Sequence, residues 1–192
     1  MSSSAPRTPR ASGILMRLFR CRRGTTAVEF GMVAGPFLMF ALGVMGVGLH
    51  FFTSNSLDNA VAMATRQIRT GQAQKSGMTL GQFRQSVCDA GGSYIKCDNH
   101  LKVHVQSADR WSDITPRSCL TNGGLTEPPG GSSDPLSSQS GGAEQVVLVT
   151  LCYEWELAKY LPFLEVGDMN GGSAVMQAVT TFRTEPYPQA AN

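Results

Sequence analysis

Phe30-Gly31-Met32-Val33-Ala34-Gly35-Pro36-Phe37-Leu38-Met39-Phe40-Ala41-Leu42-Gly43-Val44-Met45-Gly46-Val47-Gly48-Leu49-His50-Phe51-Phe52 is a run of 23 residues without Asp, Glu, Lys or Arg, and His50 is its one ionisable side chain. A helix of that length rises roughly 34 Å at about 1.5 Å per residue, enough to cross a hydrocarbon core of about 30 Å. The apolar part of a secretory signal is shorter, about 7 to 15 residues. Ala60-Val61-Ala62 has the small residues a signal peptidase prefers, but it lies beyond a stretch that is too long. A permanent anchor is therefore expected rather than a removed signal. A buried helix of a soluble domain fits less well, because nothing else in the chain is apolar enough to surround it.

Before this run the chain is basic. Residues 1–24 hold Arg7, Arg10, Arg17, Arg20, Arg22 and Arg23 and no acid, whereas the whole 192-residue chain has a net charge of only +2. The rest is therefore acidic, and the two parts are expected to meet different surroundings. Basic residues beside a span stay in the cytoplasm. The expected organisation is a cytoplasmic basic arm over 1–24, a transmembrane helix over 25–54 and an extracytoplasmic α+β domain over 55–192. Charged residues make up 16% of the chain, below the roughly 25% of an average soluble protein, which also favours membrane or secreted material. The low net charge argues against nucleic-acid binding.

Cysteine usage agrees with that topology. Cys21 falls inside, where thiols stay reduced; Cys88, Cys97, Cys119 and Cys152 fall outside, an even number in an oxidising compartment. Four cysteines allow three connectivities. Cys88–Cys97 and Cys119–Cys152 are favoured because the first pair clips a short loop and the second can hold a loop arm on the back of a sheet. No C-x-x-C occurs, so zinc is a weaker reading.

Beyond the span, Leu57, Val61, Ala64 and Ile68 keep one apolar stripe, so the helix is expected to continue to about Thr70 before Gly71. Thr79 and Gln82 fit a capping box that opens a short helix, with Gly91-Gly92 as its stop. Leu101, Val103 and Val105 alternate with polar neighbours, as a half-buried strand does. Val146 to Leu157 reads as the strongest strand, with Val147, Val149, Leu151, Tyr153, Trp155 and Leu157 facing the helix stripe. Ala174 to Phe182 reads as a last strand antiparallel to it. Residues 116–143, rich in Pro, Gly and Ser, read as a long exposed, mobile loop. The expected fold is a long helix packed on a small antiparallel sheet.

The junction of arm and span is Arg22-Arg23-Gly24-Thr25-Thr26-Ala27-Val28-Glu29-Phe30. A carboxylate at the mouth of an apolar helix is expensive and by default has a partner and a task. A cut after Gly24 would give Thr25 a new α-amino group one helical turn from Glu29, able to neutralise it in its own chain or in a neighbour. The alternative is an acid at headgroup level, favoured by the helix dipole. This junction resembles the prepilin-peptidase site of type IV pilins, in which the cut follows the glycine and the fifth residue after it is glutamate. Together with Ala34-Gly35-Pro36-Phe37-Leu38 and the ending Phe182-Arg183-Thr184-Glu185-Pro186-Tyr187, it is similar to the TadE-like pseudopilins of bacterial tight-adherence (Tad/Flp) pilus systems. The resemblance covers the two ends of the chain. It implies a pilin-like fold, processing between Gly24 and Thr25, and Glu29 as an assembly carboxylate. It also implies an inner-membrane location with the carboxy-terminal domain in the periplasm. Its implied partners are other pilin-like subunits, the pilus assembly machinery and a prepilin peptidase.

Enzyme chemistry is not expected. No phosphate loop, nucleophile elbow or HExxH occurs, and no cofactor or metal is anticipated. His100 and His104, with Cys97 and Asp98 nearby, suggest a metal. Four residues apart on a strand, however, the two imidazoles stand about 13 Å from one another. Asp109, Asp113, Glu154 and Glu156 read as solvated surface acids. Gly31-x-x-x-Gly35 offers a close-packing face for another membrane helix, though such spacing also arises by chance in a glycine-rich span. A structural subunit of a pilus system is the leading expectation. The alternatives are an uncleaved single-span envelope protein that presents a binding domain, and an anchored periplasmic enzyme.

Overall fold

The computed structural model describes residues 25–161 and 165–187. Helix α1 (Thr25–Arg69) is 45 residues long and continuous through the apolar run. It contains Pro36, which has no N–H to offer the carbonyl of Met32 one turn back; such prolines are tolerated in membrane helices. Between Phe30 and Phe52 Gly46 alone is buried, so this part of α1 is not the core helix of a soluble domain. The chain divides into two compact units between Met45 and Gly46.

After α1 come α2 (Gln72–Lys75) and α3 (Leu80–Gly91), β1 (Leu101–Ala108), and the short strands β2 (Leu120–Thr121) and β3 (Gly124–Leu125). The one-turn helix α4 (Ser137–Ser140), β4 (Val146–Trp155) and β5 (Ala174–Arg183) follow, with tight helical turns at Trp111–Asp113 and Glu156–Tyr160. The fold is α+β. β1, β4 and β5 form an antiparallel sheet with β4 in the middle, in the registers Leu101↔Tyr153 to Ala108↔Val146 and Val146↔Arg183 to Trp155↔Ala174.

Side-chain period explains the core. The last third of α1 buries Leu57, Ala60, Val61, Ala64 and Ile68 at spacings of three and four, one face of a helix. They join Leu101, Val103 and Val105 of β1, Val147, Val149, Leu151, Tyr153 and Trp155 of β4, and Ala174, Met176 and Ala178 of β5, one face of a strand each. Phe83 and Val87 of α3 close the same cluster. α3 begins on the capping box: Thr79 Oγ1 accepts from the Gln82 N–H at 3.2 Å, and Gln82 Oε1 accepts from the Thr79 N–H at 3.0 Å. It ends on Gly92 at φ +80°, a region costly to residues with a Cβ.

Two expectations need correction. Strand β4 stops at Trp155, and Leu157, assigned to the core face, lies in the Glu156–Tyr160 turn and is exposed. The 116–143 segment is not simply an exposed loop. It carries the β2–β3 hairpin and α4, and it buries Cys119 and Leu136. Asp134 and Ser132 accept backbone hydrogen bonds from Leu80 and Gly81 at 3.0 and 2.8 Å, so the segment straps the start of α3. The composition is loop-like, but buried Leu136, the disulfide at Cys119 and these backbone hydrogen bonds fix it to the domain.

Both disulfides join the favoured pairs, Cys88 to Cys97 and Cys119 to Cys152. The first ties α3 to the approach of β1. The second fastens residue 119 to the back of β4, the face carrying Val146, Leu148, Thr150 and Cys152. That face is buried because the arm lies over it.

Candidate functional site

The amino-terminal end of α1 is described by itself. Gly24, one side of the expected cut, lies outside the described residues, and Thr25 is the first residue described. Glu29 is the fifth residue of the helix as described, just past the first turn where a dipole favours acids most. It is exposed, and among the described residues no hydrogen bond or ion pair reaches its carboxylate. Gly31 and Gly35 stand four residues apart on one face, with no atom within 4 Å of where a Cβ would sit at either. The surface they make is open to close approach by another helix. Among the described residues, this end is therefore a helix with one carboxylate that has no partner, followed by a charge-free apolar run with an open small-residue face.

The carboxy-terminal motif lies in the second unit, after Gly46, and acts as a clasp. The Glu185 N–H donates to the carbonyl of Arg69 at 2.9 Å, capping the end of α1, and the side chains of the same residues approach at 3.4 Å. Both side chains are more than half exposed, so that ion pair contributes little. Thr184, buried, donates from its N–H to the Gln145 carbonyl at 2.9 Å and accepts from the Gln145 N–H at 3.0 Å through Oγ1. Arg183 Nε donates to the Glu144 carbonyl at 2.7 Å. The Tyr187 ring lies on Gly71: a Cβ added there would stand 2.5 Å from it. The motif thus joins the end of α1, the start of β4 and the end of β5. The sequence reading treats it as a family mark and does not assign it this task.

A second grouping was missed. Glu154 and Glu156 are paired, not merely solvated. His100 Nδ1 lies 3.1 Å from Glu154 Oε2, Lys96 Nζ 3.1 Å from Glu156 Oε2, and Lys159 Nζ 3.5 and 3.3 Å from the two carboxylates. Ser173 Oγ donates to Glu154 Oε1 at 2.7 Å. This hydrogen bond, opposed by partial burial and helped by His100 and Lys159, holds the Glu154 carboxyl below its ordinary range. The ligand atoms of His100, Glu154 and Glu156 lie within 4.8 Å of one another, close enough for a metal. Two ammonium groups already occupy the carboxylates, however, and a cation would have to displace them. The grouping is an ion-pair network. Its signal in the sequence was the alternation of Glu154 and Glu156 at the end of a strand, with His100 brought opposite by the register.

The imagined partnership of His100 and His104 does not form. His104 points to the back of the sheet, is 1% exposed, and its Nε2 lies 3.1 Å from the carbonyl of Thr126 in the covering arm. Burial pushes its pKa down, opposed by that hydrogen bond. Cys97 is consumed by its disulfide.

Residues 24–66 match the family model described as TadE-like protein. The match begins at the glycine of the junction and runs through the apolar part of α1 into its buried stripe; the carboxy-terminal motif lies outside it. No curated protein and no solved structure matches the chain.

Proposed function

We propose that the chain is a structural and assembly subunit, a TadE-like minor pseudopilin, supporting the biogenesis of a tight-adherence pilus and performing no chemistry itself. The observation that carries this reading is the TadE-like match over residues 24–66, which holds Glu29 and the apolar run. In this reading a prepilin peptidase cuts between Gly24 and Thr25 on the cytoplasmic side of the inner membrane, and residues beyond about Ser54 lie in the periplasm. The positive arm orients the chain and is then lost. The new α-amino group on Thr25 neutralises the Glu29 carboxylate of a neighbouring subunit and so sets the axial register of two helices. The open Gly31 and Gly35 face lets those helices approach closely. Partners are other pilin-like subunits and the assembly machinery, not nucleic acid.

Removal by signal peptidase fits poorly with the packing. A cut after Ala62 would strip Leu57, Ala60 and Val61 from the core of the outer unit. The anchor and the domain share one helix, as a subunit that must carry its domain on a membrane stem requires.

The test is genetic complementation in a bacterium that makes this chain. Deletion should abolish the pili, and the wild-type chain should restore them. Glu29→Gln should reach normal levels, insert normally and be cut normally, since removing the charge lowers the cost of desolvation. It should nevertheless fail to restore pili or to co-purify with other pilin-like subunits. Full piliation in the deletion strain would contradict the proposed function. Full piliation with Glu29→Gln alone would reduce Glu29 to an acid at headgroup level.

A further inference from the structure

The apolar run of α1 does not end on bare helix. Leu49 and Phe52, from its last turn, line a shallow depression together with Tyr94, Trp155, Leu157 and Tyr160. Phe52 and Tyr94 meet at a tilt with ring centroids 5.1 Å apart, and His50 meets Trp155 edge-on at 5.2 Å. These contacts hold the loop after α3 and the end of β4 level with residues 50–52. Tyr94 is 60% exposed and Tyr160 76%, and Leu157 is exposed beside them. Large side chains turned to solvent around the point where the charge-free run of the helix ends are an unusual expense for a water-facing surface.

We propose that this face of the outer domain rests in the headgroup layer of the bilayer that α1 crosses. The proposal rests on reading α1 as a membrane span, and adds to it that the domain itself touches lipid. The occupant follows from continuity, because Leu49 and Phe52 belong both to the charge-free run and to the depression. At about 1.5 Å per residue, a span starting at Phe30 covers the roughly 30 Å hydrocarbon core in about 20 residues, so Leu49 to Phe52 arrive at its outer edge. Tyrosine suits that level, with an apolar ring and a hydroxyl that reaches water or a phosphate ester. Lys96 and Glu156 line the rim as an ion pair at 3.1 Å, and the Lys96 stem can lie along the apolar surface while the paired charges stay at headgroup level. The domain would thereby be held against the membrane beyond what a single flexible joint allows, and its release would precede any departure of the subunit from the bilayer.

The experiment uses the full chain reconstituted in vesicles of phosphatidylethanolamine and phosphatidylglycerol. In one preparation Tyr160→Trp is combined with Trp111→Phe; the reference carries Trp111→Phe alone, so the difference in emission belongs to residue 160. A second reporter, Tyr94→Trp in the same background, guards against a fault peculiar to one site. The expected result is a blue-shifted emission at both positions. Quenching by lipid bearing a nitroxide next to the headgroup should be several-fold stronger than for Trp111, whose emission is the difference between the unaltered chain and the Trp111→Phe chain, and quenching by aqueous acrylamide weaker. Two results overturn the proposal when the chain floats with the vesicles: full acrylamide quenching without nitroxide quenching, or protection that grows with the protein-to-lipid ratio without nitroxide quenching. The second would mean that another copy of the chain covers the face. A chain that does not float with the vesicles would overturn the membrane reading and this proposal together.

Discussion

At Gly71 two requirements meet in one residue. Its φ of +72° favours glycine, and the ring of Tyr187 occupies the space a Cβ would need. Gly77 has a similar φ of +64° but open space around it. Gly77→Ala is therefore expected to cost about 1 kcal/mol, the backbone penalty alone, and Gly71→Ala about 2 to 4 kcal/mol once overpacking is added. The urea midpoint of the full chain in detergent, followed by tryptophan fluorescence, separates the two. Equal losses would mean that the Tyr187 contact carries no weight. His104 gives a pH signature. Its folded pKa lies below its ordinary 6.5, so the unfolded chain binds the extra proton first. Its contribution is thus complete above 6.5 and declines as the pH falls toward the folded value. Between about pH 7.5 and about pH 5 the wild-type urea midpoint should fall, and His104→Gln should flatten that fall while lowering the midpoint at neutral pH. An unchanged slope would remove His104 as a source of acid sensitivity.

Among the elements, the two disulfides close loops of different length, with sequence separations of 33 for Cys119–Cys152 and 9 for Cys88–Cys97. Chain entropy alone gives about 3.7 kcal/mol for the longer and about 2.6 kcal/mol for the shorter. Replacing Cys119 and Cys152 by serine should therefore be the costlier change, and should also expose His104 and the back of β4. A greater loss from the Cys88 and Cys97 pair would contradict this ordering. Without reductant, thiol labelling of the unprocessed chain should find one reactive site, at Cys21, and three or more labelled sites would contradict two bridges. The elements themselves were legible because period and burial coincide: Leu57 to Ile68 repeat at helical spacing, and Val147 to Trp155 alternate under that stripe. Thr79 and Gln82 announced a helix start that the chain makes. What stayed hidden depended on contacts distant in sequence. Nothing local says that Leu136 in a loop of Ser, Gly and Pro reaches the core, or that His100 comes opposite Glu154. The clasp at Thr184 to Tyr187 was visible only as a familiar string of letters, because its partners Arg69, Gly71 and Gln145 lie on three separate segments.

For the whole molecule, the decisive property is that one continuous helix serves two solvents. Its first part is exposed apolar surface suited to lipid or to neighbouring helices, and its last part belongs to the core of a disulfide-linked α+β domain. Such a chain can carry a domain on a membrane stem without a linker. The basic arm of residues 1–24 would hinder packing of stems against one another if it stayed attached, since six arginines per chain repel at close quarters. Removal of the arm is therefore the step on which the assembly reading turns. The most direct test is amino-terminal sequencing with intact mass determination of the chain purified from the membranes of piliated cells. The account predicts a mature chain that begins at Thr25 and lacks Cys21, while Gly24→Leu yields only the full-length chain. A wild-type chain that keeps its arm in cells with an active prepilin peptidase, with the same mass increment over residue 25 as the Gly24→Leu chain after allowance for the substitution, would contradict it.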